Sequence, residues 1–227
     1  MTFDYVLSQL KGGLIVSCQA PADSPLHNPE VIAAIAEAAV LRGAIAVRID
    51  SPEHIAAVKR RISVPIIGLW KQVISGSDVY ITPQFHHAQA VVQAGADVVA
   101  IDATQRPRPG RERLADLIVK IQADLQKPVM ADIDTLASAQ AAVKAGADVL
   151  GTTLYGYTQD TAMLKPPGFG LLSDLVTHLA VPIICEGGVA APQMACKAMD
   201  LGAYAVVVGT AITGIDILVQ QYRDALS

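Results

Sequence analysis

Apolar residues fall in short runs along this chain, and between the runs lie longer stretches in which apolar positions recur three and four residues apart. Eight runs stand out: LIVSCQ, IAVRI, PIIGLW, VVAIDA, PVMADI, VLGTTL, PIICEG and AVVVGT. Short, nearly continuous apolar runs bounded by turn residues read as strands covered on both faces, as in a parallel sheet. The intervening stretches, among them NPEVIAAIAEAAVLRG, SPEHIAAVKRRI and DTLASAQAAVKAG, begin on Asn, Ser or Asp and read as amphipathic helices. The tetrapeptide AGAD closes two of them, at Ala94 to Asp97 and Ala145 to Asp148, with Gly where a helix ends in the left-handed conformation. Strands alternating with helices imply right-handed crossovers onto a parallel sheet. An open doubly wound sheet uses the same units. Eight regular repeats, with no linker between Gly12 and Ala225, favour closure. The expectation is an α/β fold, a single-domain (β/α)8 TIM barrel over residues 1–227, interrupted most by the loop from Tyr155 to Gly168 after the sixth strand.

Composition narrows the function more than the fold. Hydrophobic residues make up 52% of the chain and charged ones 17%, enough for a large core. The formal charge of −4 and the absence of a Lys/Arg run with interleaved aromatics argue against nucleic acid as a partner. The only basic cluster is Arg106, Arg108, Arg111 and Arg113, broken by Pro107, Pro109 and Gly110 into a loop. No apolar stretch reaches membrane-spanning length and no basic-then-apolar leader opens the chain, so the cytoplasm is the default compartment and no membrane partner is expected. Three widely spaced cysteines, Cys18, Cys185 and Cys196, fit free thiols better than disulfides or a zinc site.

Barrel chemistry sits at the C-terminal ends of the strands, which directs the search to polar residues closing apolar runs. These are Gln19, Arg48, Lys71, Asp102, Asp132, Thr153 and Glu186. Lys71 is the least expected of them, because an unpartnered ammonium in a core costs several kcal/mol and tends to lose its proton instead. The third and seventh strands lie opposite each other in an eight-stranded barrel, so Lys71 and Glu186 should approach an axial ligand from opposing sides. An amine and a carboxyl so placed suit removal of a proton from one face of a carbon beside a carbonyl and its return to the other. Arg48 would depress the lysine by like-charge repulsion, and a protonated Glu186 would serve as the acid. The glycine turns EGGV and GTAITG follow strands seven and eight, where barrels present backbone N–H groups to a phosphate. Lys71 as a Schiff-base nucleophile in an aldolase or lyase, and a non-catalytic barrel that binds a sugar phosphate, are the competing readings. Of the rest, Asp132 is a ligand contact or a cap, Asp134 is the better N-cap for the helix that follows, Asp102 either meets ligand or anchors Arg106 or Arg108, and His86 and His87 read as surface residues on different helix faces.

The segments VYITP, AGADVVAIDAT, RPRP, MADI, AGADVLGTTLYGYT, CEGG and AVVVGTAIT, in this order and spacing, resemble the N-acetylmannosamine-6-phosphate 2-epimerase family, from GGLIVSCQA to the final helix. The resemblance implies a (β/α)8 barrel that interconverts N-acetylmannosamine 6-phosphate and N-acetylglucosamine 6-phosphate in sialic acid catabolism by moving the C2 proton, with no metal or organic cofactor. It implies Lys71 and Glu186 as catalytic residues and Gln19, Arg48 and Asp132 as substrate contacts, with Thr153 and Tyr155 added to that set. Gly187, Gly188, Gly209 and Thr210 would form the phosphate region. The partner is a small amino sugar phosphate, and a homodimer is open to such a chain. Gln72, Gly188 and Gly214 stand where that family commonly carries basic residues.

Overall fold

Register along the sheet runs without a break from β1 (Leu14–Cys18) through β2 (Ala46–Asp50), β3 (Ile66–Leu69), β4 (Val98–Asp102), β5 (Val129–Asp132), β6 (Val149–Gly151), β7 (Ile183–Cys185) and β8 (Ala205–Val208). β8 pairs back onto β1 with Val16 opposite Val208, closing a barrel of eight parallel strands. This computed structural model describes residues 3–226. Helices α1 (Phe3–Ser8), α2 (Pro29–Leu41), α3 (Pro52–Lys59), α4 (Phe85–Gln93), α5 (Leu114–Asp124), α6 (Leu136–Lys144), α7 (Phe169–His178), α8 (Pro192–Asp200), α9 (Thr210–Thr213) and α10 (Ile215–Leu226) complete the chain.

Two cores follow from strand alternation. Inside the barrel, Ile15, Ala46, Ile67, Val98, Met130, Val149, Ile184 and Val207 fill the axis, and Val6, Leu7 and Leu10 at the N-terminal end belong to the same cluster. Outside, Val47, Ile66, Val99, Val129, Leu150 and Val206 meet helix residues such as Ile32, Ile55, Val91, Leu117 and Leu172. The helix ends behave as their residues require. The Asn28 side chain accepts the N–H groups of Glu30 and Val31, and Gly95 and Gly146 of the two AGAD segments take φ of 112° and 97°. The aspartates of AGAD do a second job that repeat counting does not show: Asp97 accepts the Ile66 N–H at 3.0 Å and Asp148 that of Val129 at 2.7 Å, so each anchors the start of a strand.

The structure departs from three expectations. The cap of α6 is Thr135, whose Oγ1 accepts the Ser138 N–H, while Asp134 is buried and accepts the Ser138 and Thr158 hydroxyls, which ties the long loop after β6 to the end of β5. His87 is buried rather than on the surface, its ring edge-on to Trp70, and the His86 ring sits 3.8 Å from it despite their adjacent positions. Finally, α10 adds no residue to the outer core, although an eighth repeat should. None of its residues is buried, and Ile215, Val219, Tyr222 and Leu226 are exposed.

Candidate active site

The C-terminal mouth of the barrel opens on a cavity of about 960 Å³. Gln19, Arg48, Lys71, Thr153, Glu186, Gly187, Gly188, Gly209 and Thr210 all line it. Asp132 and Tyr155, also expected as substrate contacts, do not. Asp132 is fully buried and reaches the cavity through other residues, whereas Tyr155 packs under Gly168, where a β-carbon would stand 2.8 Å from its ring, and Tyr157 two residues on lines the wall. Alternation along the loop, unreadable without its path, decides which tyrosine faces inward.

Arg48 organises the floor. It is 1% exposed, beyond the Met130 side chain, and its guanidinium donates to both Asp132 oxygens, at 3.0 and 2.6 Å, with Glu186 Oε2 2.9 Å from Nη1. Burial opposes its charge, but Asp132 and Glu186 outweigh that and hold it more firmly protonated than usual. Thr153 Oγ1 donates to Asp132 at 2.6 Å. Glu186 Oε2 still has no hydrogen-bond donor, despite the nearby guanidinium, and neither does Arg48 Nε have an acceptor. A half-satisfied buried network is costly as structure and is common where a ligand completes it. Burial pushes the Glu186 carboxyl up to about 7, with Asp132 adding to the rise and Arg48 opposing it.

Lys71 stands across the barrel. Its ammonium is held by Gln19 Oε1, and Gln19 in turn donates to Ser17 Oγ at 2.8 Å. Desolvation lowers its pKa, Asp50 works against that and Arg48 adds to it. A hairpin arm fixes its position: Lys71 pairs antiparallel with Ile81, with Gln72 N–H donating to the Tyr80 carbonyl and Thr82 N–H to that of Trp70, each at 2.9 Å. Tyr80 on this arm also lines the cavity. The sequence carries no sign of Ser17 and leaves Tyr157 as loop packing, and the only available signal for Tyr80 was its place in VYITP beside the lysine loop.

The glycine turns form the far end. Gly187 and Gly188 adopt φ of 94° and 69°, and among the described residues no protein acceptor takes their N–H groups. A β-carbon at Gly188 would come within 2.5 Å of Pro166, and one at Gly214 within 2.8 Å of the Thr210 backbone. Glycine at both places is therefore dictated by close backbone approach, and a cation cannot be restored at Gly214 without moving α9. Arg48 and Lys71 are the basic residues of the cavity wall. Asp102 turns away to Arg106, 2.6 Å distant, and to Thr104, the anchoring alternative of its two readings. Among the described residues no group of three or more His, Cys, Asp or Glu side chains is placed to hold a metal ion.

Fold and site together define a class: a (β/α)8 barrel enzyme with a buried carboxyl and an amine facing it across one polar cavity, equipped for proton transfer on a small anionic ligand. Comparison with known proteins is more particular. Residues 32–227 match the family described as "Putative N-acetylmannosamine-6-phosphate epimerase". A relative of the corresponding 2-epimerase name from Thermosynechococcus vestitus is 64% identical over 96% of this chain and 95% of its own. One from Cutibacterium acnes is 44% identical over 98% of this chain and 97% of its own. The solved N-acetylmannosamine-6-phosphate 2-epimerase from Clostridium perfringens superimposes with a TM-score of 0.93 at 39% identity, over 96% of this chain and 95% of that one. The chain belongs to the NanE family, an epimerase family of isomerases.

Proposed function

We propose that this protein interconverts N-acetylmannosamine 6-phosphate and N-acetylglucosamine 6-phosphate, a step of sialic acid catabolism, by removing and returning the C2 proton. The observation that carries the chemistry is the pairing, across one cavity, of an amine and a carboxyl whose protonation states are both moved toward neutrality, Lys71 downward and Glu186 up to about 7. Neutral Lys71 takes the C2 proton of the open-chain sugar, the C–H electron pair passes into the C1 carbonyl, and the enolate forms beside the Arg48 guanidinium. Protonated Glu186 delivers a proton to the opposite face, and the ammonium and carboxylate then reset through solvent. Gln19 and Thr153 contact the sugar, while the N–H groups about Gly187, Gly188, Gly209 and Thr210 take the phosphate. Asp132 acts through Arg48 and Thr153.

The test is NMR of each epimer in D2O with the protein, following C2 deuterium separately from epimer conversion. Conversion accompanied by C2 exchange is expected, with no adduct trapped by borohydride. A trapped adduct would mean Schiff-base chemistry, and binding without exchange would mean a binding protein. In Glu186→Gln, conversion should fall while the epimer whose C2 hydrogen faces Lys71 continues to exchange. Equal loss of both for both epimers would sink the two-face assignment.

A homodimer is the assembly this chain favours, since the exposed Ile215, Val219 and Leu226 of α10 give an apolar surface that a second copy would cover. Sedimentation velocity of the wild type against Val219→Asp checks it; a wild-type monomer at micromolar concentration refutes it. Free Cys18, Cys185 and Cys196 fit a reducing, cytoplasmic setting, and among the described residues no helix is long and apolar enough to cross a membrane.

A further inference from the structure

We propose that Asp50, the last residue of β2, is a positioning residue for Lys71: its carboxylate fixes the turn on which the lysine leaves β3 and supplies the counter-charge to its amine. The inference rests on the assignment of Lys71 as the base. Beyond Leu69 the chain departs from the barrel wall and pairs with the arm at 80–82. In that pairing the N–H groups of Gln72 and Thr82 point into the arm, so the N–H of Lys71 faces the other way. Asp50 Oδ1 accepts it at 2.9 Å, and the Lys71 carbonyl is taken by the Gln72 side chain, also at 2.9 Å. Both peptide groups of the lysine are thereby engaged, which fixes the origin of its side chain.

Asp50 is itself held from several sides. It lies opposite Leu69 in the register of β2 and β3, and its carbonyl is 3.1 Å from His54 Nδ1. The next residue, Ser51, adopts φ 76°, ψ 144°, a conformation that side chains disfavour, while its N–H donates to the Leu69 carbonyl at 2.9 Å. Strained backbone of this kind persists where the surroundings over-determine it, commonly beside a site. Charge follows geometry. Gln19, just beyond β1, accepts from the Lys71 amine, and the charged groups that act on it are Arg48 and Asp50 from β2, Asp132 from β5 and Glu186 beyond β7, with Asp50 exerting the largest effect. Asp132 and Glu186 are committed to Arg48, whereas Asp50 forms no ion pair among the described residues.

The experiment compares Asp50→Asn, which keeps an acceptor oxygen without the charge, and Asp50→Ala, which loses both. Two readouts are used: the pH profile of kcat/KM for N-acetylmannosamine 6-phosphate, and the titration of the ¹³Cε signal of Lys71, assigned by its absence in Lys71→Ala. Removing a carboxylate favours the neutral amine, so in Asp50→Asn the acid limb and the ¹³Cε titration should both move to lower pH by about half to one pH unit, with kcat within about threefold of wild type. Asp50→Ala should show the same displacement and a kcat lowered at least tenfold, on the order expected when a reacting group is misplaced by a fraction of an ångström to an ångström. An Asp50→Asn titration that overlays the wild type overturns the counter-charge, and wild-type kcat in Asp50→Ala overturns the positioning. If the wild type exchanged no C2 hydrogen, the proposed function would fail by itself, and the ¹³Cε titration would still decide the influence of Asp50 on Lys71.

Discussion

Replacing Glu186 by Gln should make the folded protein more stable above neutral pH while crippling its chemistry. Glu186 is 9% exposed, and its carboxyl is pushed up to about 7 from an ordinary value of 4.5. A carboxyl with a raised folded pKa binds its proton more tightly in the native state than in the unfolded chain. The stability this gives is full below pH 4.5 and is lost as pH rises through 7. The gap corresponds to roughly 3 kcal/mol at about 1.4 kcal/mol per pH unit. Gln cannot ionise and escapes that loss, but it gives up the 2.9 Å charge contact with Arg48, about 1 kcal/mol in a network where Asp132 still holds the guanidinium. The net expectation at pH 8 is a gain of about 2 kcal/mol, or a rise in Tm of about 4–8 °C for a chain of this size. At pH 4.5 the gain should vanish or reverse slightly. Urea or thermal unfolding of both proteins at pH 4.5, 6, 7 and 8 measures it. A pH-independent difference, or a variant less stable at pH 8, would refute the claim that burial holds this carboxyl in its neutral form. Stability sacrificed to an unsatisfied site residue is what a functional carboxyl should display.

Lys71→Ala should lower turnover at least 10²-fold and abolish C2 exchange of one epimer, with Tm nearly unchanged because the side chain faces the open cavity rather than a core; deuterium-exchange NMR and thermal melts check both. Gly188→Ala should cost about 2–4 kcal/mol from its positive φ and the 2.5 Å approach to Pro166, and should raise KM for the phosphorylated sugar, as read by urea unfolding and steady-state kinetics. Arg48→Met strips the cation from Asp132 and Glu186 and should destabilise by about 3–5 kcal/mol at pH 8, with the deficit shrinking toward pH 5 as the stranded Glu186 carboxylate takes up its proton; melts across that range test it.

Sequence alone determined the repeat, because strand and helix periods and helix-ending glycines are local properties, and eight units written in order admit few ways to close. It also brought Lys71 and Glu186 to notice, since both end apolar runs in which an ionisable group has no structural reason to be, and both line the cavity. What it did not contain was the pairing of groups distant along the chain. That Asp132 accepts from Arg48, and that Asp50 receives the Lys71 N–H, depends on side-chain directions set by barrel shear and by the hairpin arm. Tyr155 against Tyr157 was undecidable for the same reason, since a loop has no fixed period and its facing is chosen by contacts such as that with Gly168. His87 was misjudged because helical periodicity gives a face but not what lies opposite it, here Trp70. The helical pattern of α10 was legible, whereas its failure to bury any residue against its own barrel was not. An amphipathic helix specifies that it needs a partner surface, and only tertiary structure decides whether its own barrel supplies it.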